Sequence, residues 1–243
     1  MMYPPFTCFL TSSPFLPDET TLCTHNNFRE ELLAAVPAPC RCVYVASDPR
    51  PGGSKPYDAI MRDLLASSGI RFASFITLED TNAHLAGELI SAADFIILAG
   101  GHVPTQNEFI NRIGLRTLLQ GFSGVLMGIS AGTMNSASVV YAQPELEGEA
   151  LDPAYKRFLP GVGLTDAMIL PHYQQNKDEV LDGLRIYEDI AVQDSIGRTF
   201  YVLPDGSYLH IHNGRQELRG EAYRIRDGKM EQIQRLGESM TLA

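Results

Sequence analysis

Short apolar runs alternate with amphipathic segments along the first two thirds of the chain, and run length separates strand from helix. Phe6–Ser12, Arg41–Ser47, Arg71–Ile76, Phe95–Ala99 and Val125–Ile129 read as strands. The run Phe95–Ala99 has no polar position, which fits a strand covered on both faces. Between these runs the apolar period changes. Asn26 or Asn27 caps a helix through Val36, with Phe28, Leu32, Leu33 and Val36 on one face. A helix through Ile60, Leu64 and Leu65 stops near Gly69. His84–Ala93 and about Gln106–Leu119 read as helical, and another helix begins at Ala131. Strand followed by helix, repeated, predicts an α/β protein with a doubly wound, mostly parallel sheet flanked by helices.

The pattern changes after about Thr199. Tyr201–Gly214 reads as two strands joined by a Pro-Asp-Gly turn, and Glu221–Ile233 as a hairpin turning at Asp227-Gly228. Polar and apolar positions alternate there, which predicts a C-terminal antiparallel hairpin extension of the same unit. No repeat and no linker rich in Gly, Ser or Pro divides the 243 residues, so a single domain over 1–243 is expected.

Composition narrows the partners. A net charge of −10 with no basic cluster disfavours nucleic acid or an anionic membrane surface. Cys8, Cys40 and Cys42 fall in apolar, strand-like stretches, and Cys40-Arg-Cys42 lacks redox or zinc spacing. With Cys23 they read as buried, reduced thiols, which points to a cytoplasmic protein. The start, Met1-Met-Tyr-Pro-Pro-Phe, has no basic region, and prolines interrupt it, so neither a leader nor a membrane span is expected.

The chemistry centres on Gly128-Ile-Ser-Ala-Gly132, a G-x-S-x-G sequence between an apolar strand and a small-residue helix start. A serine on so sharp a turn needs neighbours without side chains, and the turn lifts its Oγ above the carboxyl end of the sheet. Ser130 is therefore the candidate nucleophile. His172, in Leu170-Pro-His-Tyr173, follows an apolar strand and is the candidate base. Glu145, Glu147 and Glu149 lie between them as candidate orienting acids, with no local signal choosing one. Gly100-Gly101 ends a strand and suits an oxyanion-binding backbone, with His102 beside it. His210 and His212 stand two apart without a third ligand and read as strand residues, so no metal is expected.

At these residues the chain resembles the dipeptidase E and cyanophycinase family of serine peptidases. The resemblance spans nearly the whole length: Phe-Leu-Thr-Ser-Ser at 9–13, Gly-Gly at 100–101, the elbow, Leu-Pro-His-Tyr at 170–173 and Leu-Pro-Asp-Gly-Ser at 203–207. It implies a class I glutamine amidotransferase-like fold, with serine where those enzymes carry cysteine. It implies hydrolysis of short peptides through an acyl-enzyme, with no cofactor. Carried over, Ser130 is the nucleophile, His172 the base, and Glu145, fifteen residues past the serine, the acid. The amides of Gly101 and Ala131 become the oxyanion donors. Two departures stand out. Gly-Gly-His-Val-Pro-Thr replaces a Gly-Gly-Gly-Asn-Thr run, which makes His102 a substrate-binding candidate. No arginine closely follows His172, so Lys177 or Arg185 would have to hold a substrate carboxylate, and aspartyl specificity is not expected. The alternatives are an α/β-hydrolase-type esterase, disfavoured by the short Ser130-to-His172 interval, and a non-catalytic binding protein of the same fold. An exposed edge strand would allow a homodimer.

Overall fold

A computed structural model describes residues 6–17 and 19–242; residues 1–5, most of the stretch read as carrying no leader, lie outside the described residues. The main sheet has eight strands. Five run parallel: β1 (Thr7–Thr11), β2 (Cys40–Val45), β3 (Phe72–Leu78), β4 (Phe95–Leu98) and β5 (Val125–Ile129). Their order in space is β1-β5-β4-β2-β3. Beyond β1 the strands Tyr208–His212, Arg215–Arg219 and Ser239–Leu242 follow, each antiparallel to its neighbour. The fold class read from the sequence is the one observed.

Burial explains which runs became which strands. Every residue of β4 and β5 is buried, because helices cover both faces of the central strands. Two apolar layers result. One packs Leu10, Ile96, Leu98 and Leu126 beneath Phe109 and Leu119; the other packs Phe9, Tyr44, Ile97 and Met127 beneath Phe28 and Leu32. β3 is at the sheet edge and mixes partly buried with exposed positions up to the buried Leu78 at its end. All four cysteines are buried, unbridged thiols. No helix among the described residues is long and apolar enough to cross a membrane.

Several boundaries moved for local reasons. The helix Tyr57–Ser67 faces inward through Asp58 and Leu65, so Ile60 is 49% exposed rather than part of the packed face. The Asp58 carboxylate turns that face inward by accepting a 2.9 Å bond from the Thr77 hydroxyl of β3. The helix Phe28–Ala35 does follow Asn27, but that residue is left-handed and its side chain makes no capping bond. The expected helix 106–119 starts earlier, at Val103, and breaks at Gly114, whose φ of 68° ends one helix and starts another.

The largest correction concerns the Pro-Asp-Gly segment. Its flanking strands belong to different sheets. Thr199–Val202 lies in a four-stranded sheet, parallel to Met168–Leu170 and antiparallel to Ala222–Arg226. Tyr208–His212 joins the main sheet against β1 and turns through Asn213-Gly214 into Arg215–Arg219. The predicted Asp227-Gly228 hairpin is present, joining Ala222–Arg226 to Lys229–Gln234. Residues 203–207 therefore carry the chain from one sheet to the other, past the carboxyl ends of β1 and β5.

Candidate active site

Ser130 directly follows β5 and has φ 49° and ψ −111°, a conformation sparsely populated by residues other than glycine. Such strain costs on the order of 1–3 kcal/mol and persists only where the surroundings impose it. Here they do. The Ser130 N–H is shared between the carbonyls of Thr11 and Ser12, and the Thr133 hydroxyl donates to the Thr11 carbonyl at 2.7 Å. The glycines are required by contact. A Cβ on Gly132 would lie 2.2 Å from the Leu98 carbonyl oxygen, and one on Gly128 would lie 3.0 Å from the Thr133 backbone. The elbow is thus pressed between β1 and the end of β4.

A buried amide network braces the same region from below. Gln106 donates to the Ala99 carbonyl at 2.8 Å, Asn135 to the Gln106 side chain at 3.1 Å, and Asn107 to the Asn135 side chain at 2.9 Å. Helix Val103–Arg112, the elbow helix Ala131–Asn135 and the end of β4 are held as one block. Gly100 lies against Ser130: its Cβ would sit 3.4 Å from that of the serine. Gly101 has φ 150° and no room for a side chain, since a Cβ would approach the Ser47 Oγ to 2.5 Å. The N–H groups of Gly101 and Ala131 have no partner among the described residues.

His172 and Asp205 are delivered together by the second sheet. Met168–Leu170 and Thr199–Val202 are parallel neighbours in register, Val202 opposite Leu170, so both end at the same edge. Each continues through a proline, Leu170-Pro-His and Leu203-Pro-Asp, and the next side chains meet: His172 Nδ1 and Asp205 Oδ1 are 2.8 Å apart. The Asp205 side chain is only 3% exposed and is fully engaged. Ser12 Oγ donates to it at 2.8 Å and Gln175 Nε2 at 3.1 Å. Ser12 Oγ in turn accepts the His172 backbone N–H at 2.7 Å, fixing both the ring and its main chain. A carboxylate at Nδ1 makes that nitrogen the protonated one and leaves Nε2 as an acceptor.

Ser130 and His172 line one cavity of about 190 Å³, with Met134, Gln143, Pro144 and Glu145 among its walls. Glu145 is in the site, but among the described residues it makes no hydrogen bond to His172. Burial first, then the Glu149 and Glu179 carboxylates, push its carboxyl up to about 8. The residue as a whole is exposed, so solvent screens part of that repulsion. Glu149 has a different task. It accepts the backbone N–H groups of Glu145 and Leu146 and pairs with His102 Nε2 at 2.8 Å. Burial opposes its charge, but these donors together hold it below the usual carboxylate range. His102 is thereby occupied, with its Nδ1 on the Thr105 hydroxyl, and pins the loop 145–149 to the Gly-Gly turn. It also lines a second, larger cleft of about 810 Å³ beyond Gly100 and Gly101. Glu147 is exposed. Arg185 lies outside both cavities, exposed and in a two-pronged pair with Asp189.

Asp205 is the residue that sequence reasoning missed as a site group. Its signal was present in Leu203-Pro-Asp-Gly-Ser, a segment read as a turn and as part of the family resemblance with no role given to the aspartate. Ser12 likewise entered only as part of a strand end and of the Phe-Leu-Thr-Ser-Ser resemblance.

A strained serine at a strand-to-helix turn shares one cavity with a histidine held by a buried carboxylate, the residue types that an activated hydroxyl nucleophile requires. The chain belongs to peptidase family S51, whose family model matches residues 9–219, and it is a serine-type peptidase. No curated protein matches its sequence. Among solved structures it is similar to a peptidase from an acI-B1 Actinobacterium, at 16% identity and a TM-score of 0.69, covering 100% of this chain and 99% of that one. It is also similar to a peptidase E protein from Listeria monocytogenes EGD-e, at 18% identity and a TM-score of 0.51, covering 94% and 98%. At these identities the likeness is one of fold.

Proposed function

We propose that this peptidase hydrolyses short peptides through an acyl-enzyme on Ser130, with His172 as base and Asp205 as the group that orients it. The observation that carries this reading is the 2.8 Å contact between His172 Nδ1 and the buried Asp205 carboxylate, in the site that also holds the strained serine. It favours Asp205 over Glu145 for the orienting role expected from the sequence. Asp205 touches the imidazole and is shielded from water, whereas Glu145 is exposed and bonded to no ring nitrogen.

The mechanism follows from what each group can do. Asp205 keeps the proton on Nδ1, so Nε2 accepts the Ser130 proton as Oγ attacks the scissile carbonyl. The oxygen that becomes negative meets the unpartnered N–H groups of Gly101 and Ala131. Nε2–H then protonates the leaving amine, the amine departs, and the acyl group stays on Oγ. Water enters and gives a proton to Nε2 as its oxygen bonds to the acyl carbon; the bond to Oγ then breaks, Nε2 returns the proton to Ser130, and the acid leaves. The 190 Å³ cavity favours a short chain on that side of the nucleophile.

The test is hydrolysis of a peptide panel (Asp-X, isoaspartyl, neutral dipeptides and tetrapeptides) with Ser130→Ala as control. Cleavage that disappears in Ser130→Ala supports the reading. Cleavage of tetrapeptides alone overturns the short-peptide assignment, and cleavage that persists in Ser130→Ala overturns the mechanism.

A further inference from the structure

The cavity that holds Ser130 and His172 has an unbalanced wall. Its lining residues are Ser130, Met134, Gln143, Pro144, Glu145, Pro171, His172, Asn176, Glu179 and Ile186, with two carboxylates and neither lysine nor arginine. Glu145 and Glu179 approach it from different segments, one from the loop after the strand Val139–Tyr141 and the other from the turn after the helix Tyr173–Asn176. Their charges are close enough to act on each other.

Most carboxylates near the site are already matched. Asp205 holds His172, Glu149 holds His102 and two backbone N–H groups, Asp182 accepts the N–H groups of Gly148 and Ala150, and Asp189 holds Arg185. The carboxylates of Glu145 and Glu179 make no hydrogen bond among the described residues. The nearby cations are turned away: Arg185 is paired with Asp189, and Lys177 is exposed beside Asp178. Two carboxyl groups without an internal partner therefore face the space where substrate must lie, alongside the apolar surfaces of Met134, Pro171 and Ile186, and a cation placed between them favours the charged form of Glu145 that burial and its acidic neighbours disfavour.

We infer that the enzyme selects peptides with a basic side chain on a residue flanking the scissile bond, recognised by Glu145 and Glu179. The aliphatic stem of such a side chain packs on the apolar wall while its charged end meets the carboxylates. A substrate carboxylate at that place would find no cation to pair with. This inference rests on the catalytic reading of Ser130 and His172, because it places the substrate in their cavity.

The experiment compares Lys-Ala and Ala-Lys with their neutral isosteres, norleucyl-alanine and alanyl-norleucine, and with Glu-Ala and Ala-Glu. Free termini are common to all six, so the comparison reports the side chain alone. Wild-type kcat/KM is expected to favour lysine over norleucine at one of the two positions on the order of 10- to 100-fold, mostly through KM. Glu145→Gln and Glu179→Gln are each expected to shrink that ratio within the same variant, and Glu145→Lys to shift preference toward the glutamyl substrate. Equal rates for lysine and norleucine at both positions, with hydrolysis still dependent on Ser130, overturn the inference and leave the mechanism standing. A lysine preference that both glutamine variants keep also overturns it. Hydrolysis independent of Ser130 overturns the catalytic reading itself.

Discussion

Replacing Asp205 with Asn keeps the shape of the side chain and removes the property on which the site depends. The wild-type carboxylate accepts from three donors: His172 Nδ1–H, Ser12 Oγ–H and Gln175 Nε2–H. An amide has one acceptor oxygen for them. If that oxygen stays with Ser12, the NH₂ group faces His172 Nδ1 and stabilises the tautomer protonated at Nε2, which cannot accept from Ser130. The imidazolium formed during attack also loses its counter-charge at 2.8 Å, in a place only 3% exposed on the acid's side. The equivalent change in a Ser-His-Asp triad lowers turnover about 10⁴-fold, or roughly 5.5 kcal/mol of barrier, and a loss of that order is expected here. The assay is kcat and kcat/KM for Asp205→Asn beside Glu145→Gln, with thermal melting to confirm folding. Asp205→Asn should lose activity in kcat, with Glu145→Gln much less affected. The assignment fails if Asp205→Asn remains within tenfold of wild type while folded, or if Glu145→Gln carries the larger loss in kcat.

Two further predictions concern stability. Gly132→Ala would drive a Cβ to 2.2 Å from the Leu98 carbonyl oxygen; a cost of about 3 kcal/mol predicts a melting temperature lower by roughly 6–12 °C, and a change under 2 °C would contradict it. His210 stacks on Phe9 with ring centroids 4.7 Å apart, and burial first, then Arg219 and His212 against the opposing charges of Glu31 and Glu217, lowers its pKa to about 4. The unfolded chain therefore takes up this proton before the folded one as pH falls. The stabilisation is present above about 6.5 and is lost between there and 4, on the order of 3 kcal/mol at most. His210→Phe should flatten the melting temperature over that range relative to wild type, and parallel curves would refute the assignment.

What could be read from the sequence was what is local in it. The Ser130 elbow needs a strand end, two glycines and a helix start within five positions, and every one of those requirements is visible in Gly128–Gly132. The central strands were visible because burial on both faces leaves β4 and β5 without polar positions. The Asp205 role was not, because it depends on a parallel pairing between Met168–Leu170 and Thr199–Val202, segments about thirty residues apart. A Pro-Asp-Gly turn between two short strands looks the same locally whether it closes a hairpin or crosses between sheets. The paired signal, Leu-Pro-His and Leu-Pro-Asp at two strand ends, acquires meaning only once those strands are neighbours. Ile60 illustrates the same limit on a helix, where the buried Asp58 contact with Thr77 set the inward face against the apolar pattern.

The central claim is that Ser130 is the nucleophile, activated through His172 and Asp205. Its most direct test is covalent labelling by a fluorophosphonate, followed by intact mass and peptide mapping, on wild type, Ser130→Ala and Asp205→Asn. The account predicts a single adduct on the peptide containing Ser130, none in Ser130→Ala, and labelling slowed by orders of magnitude in Asp205→Asn. An adduct on another residue, or equal labelling of wild type and Ser130→Ala, would contradict it.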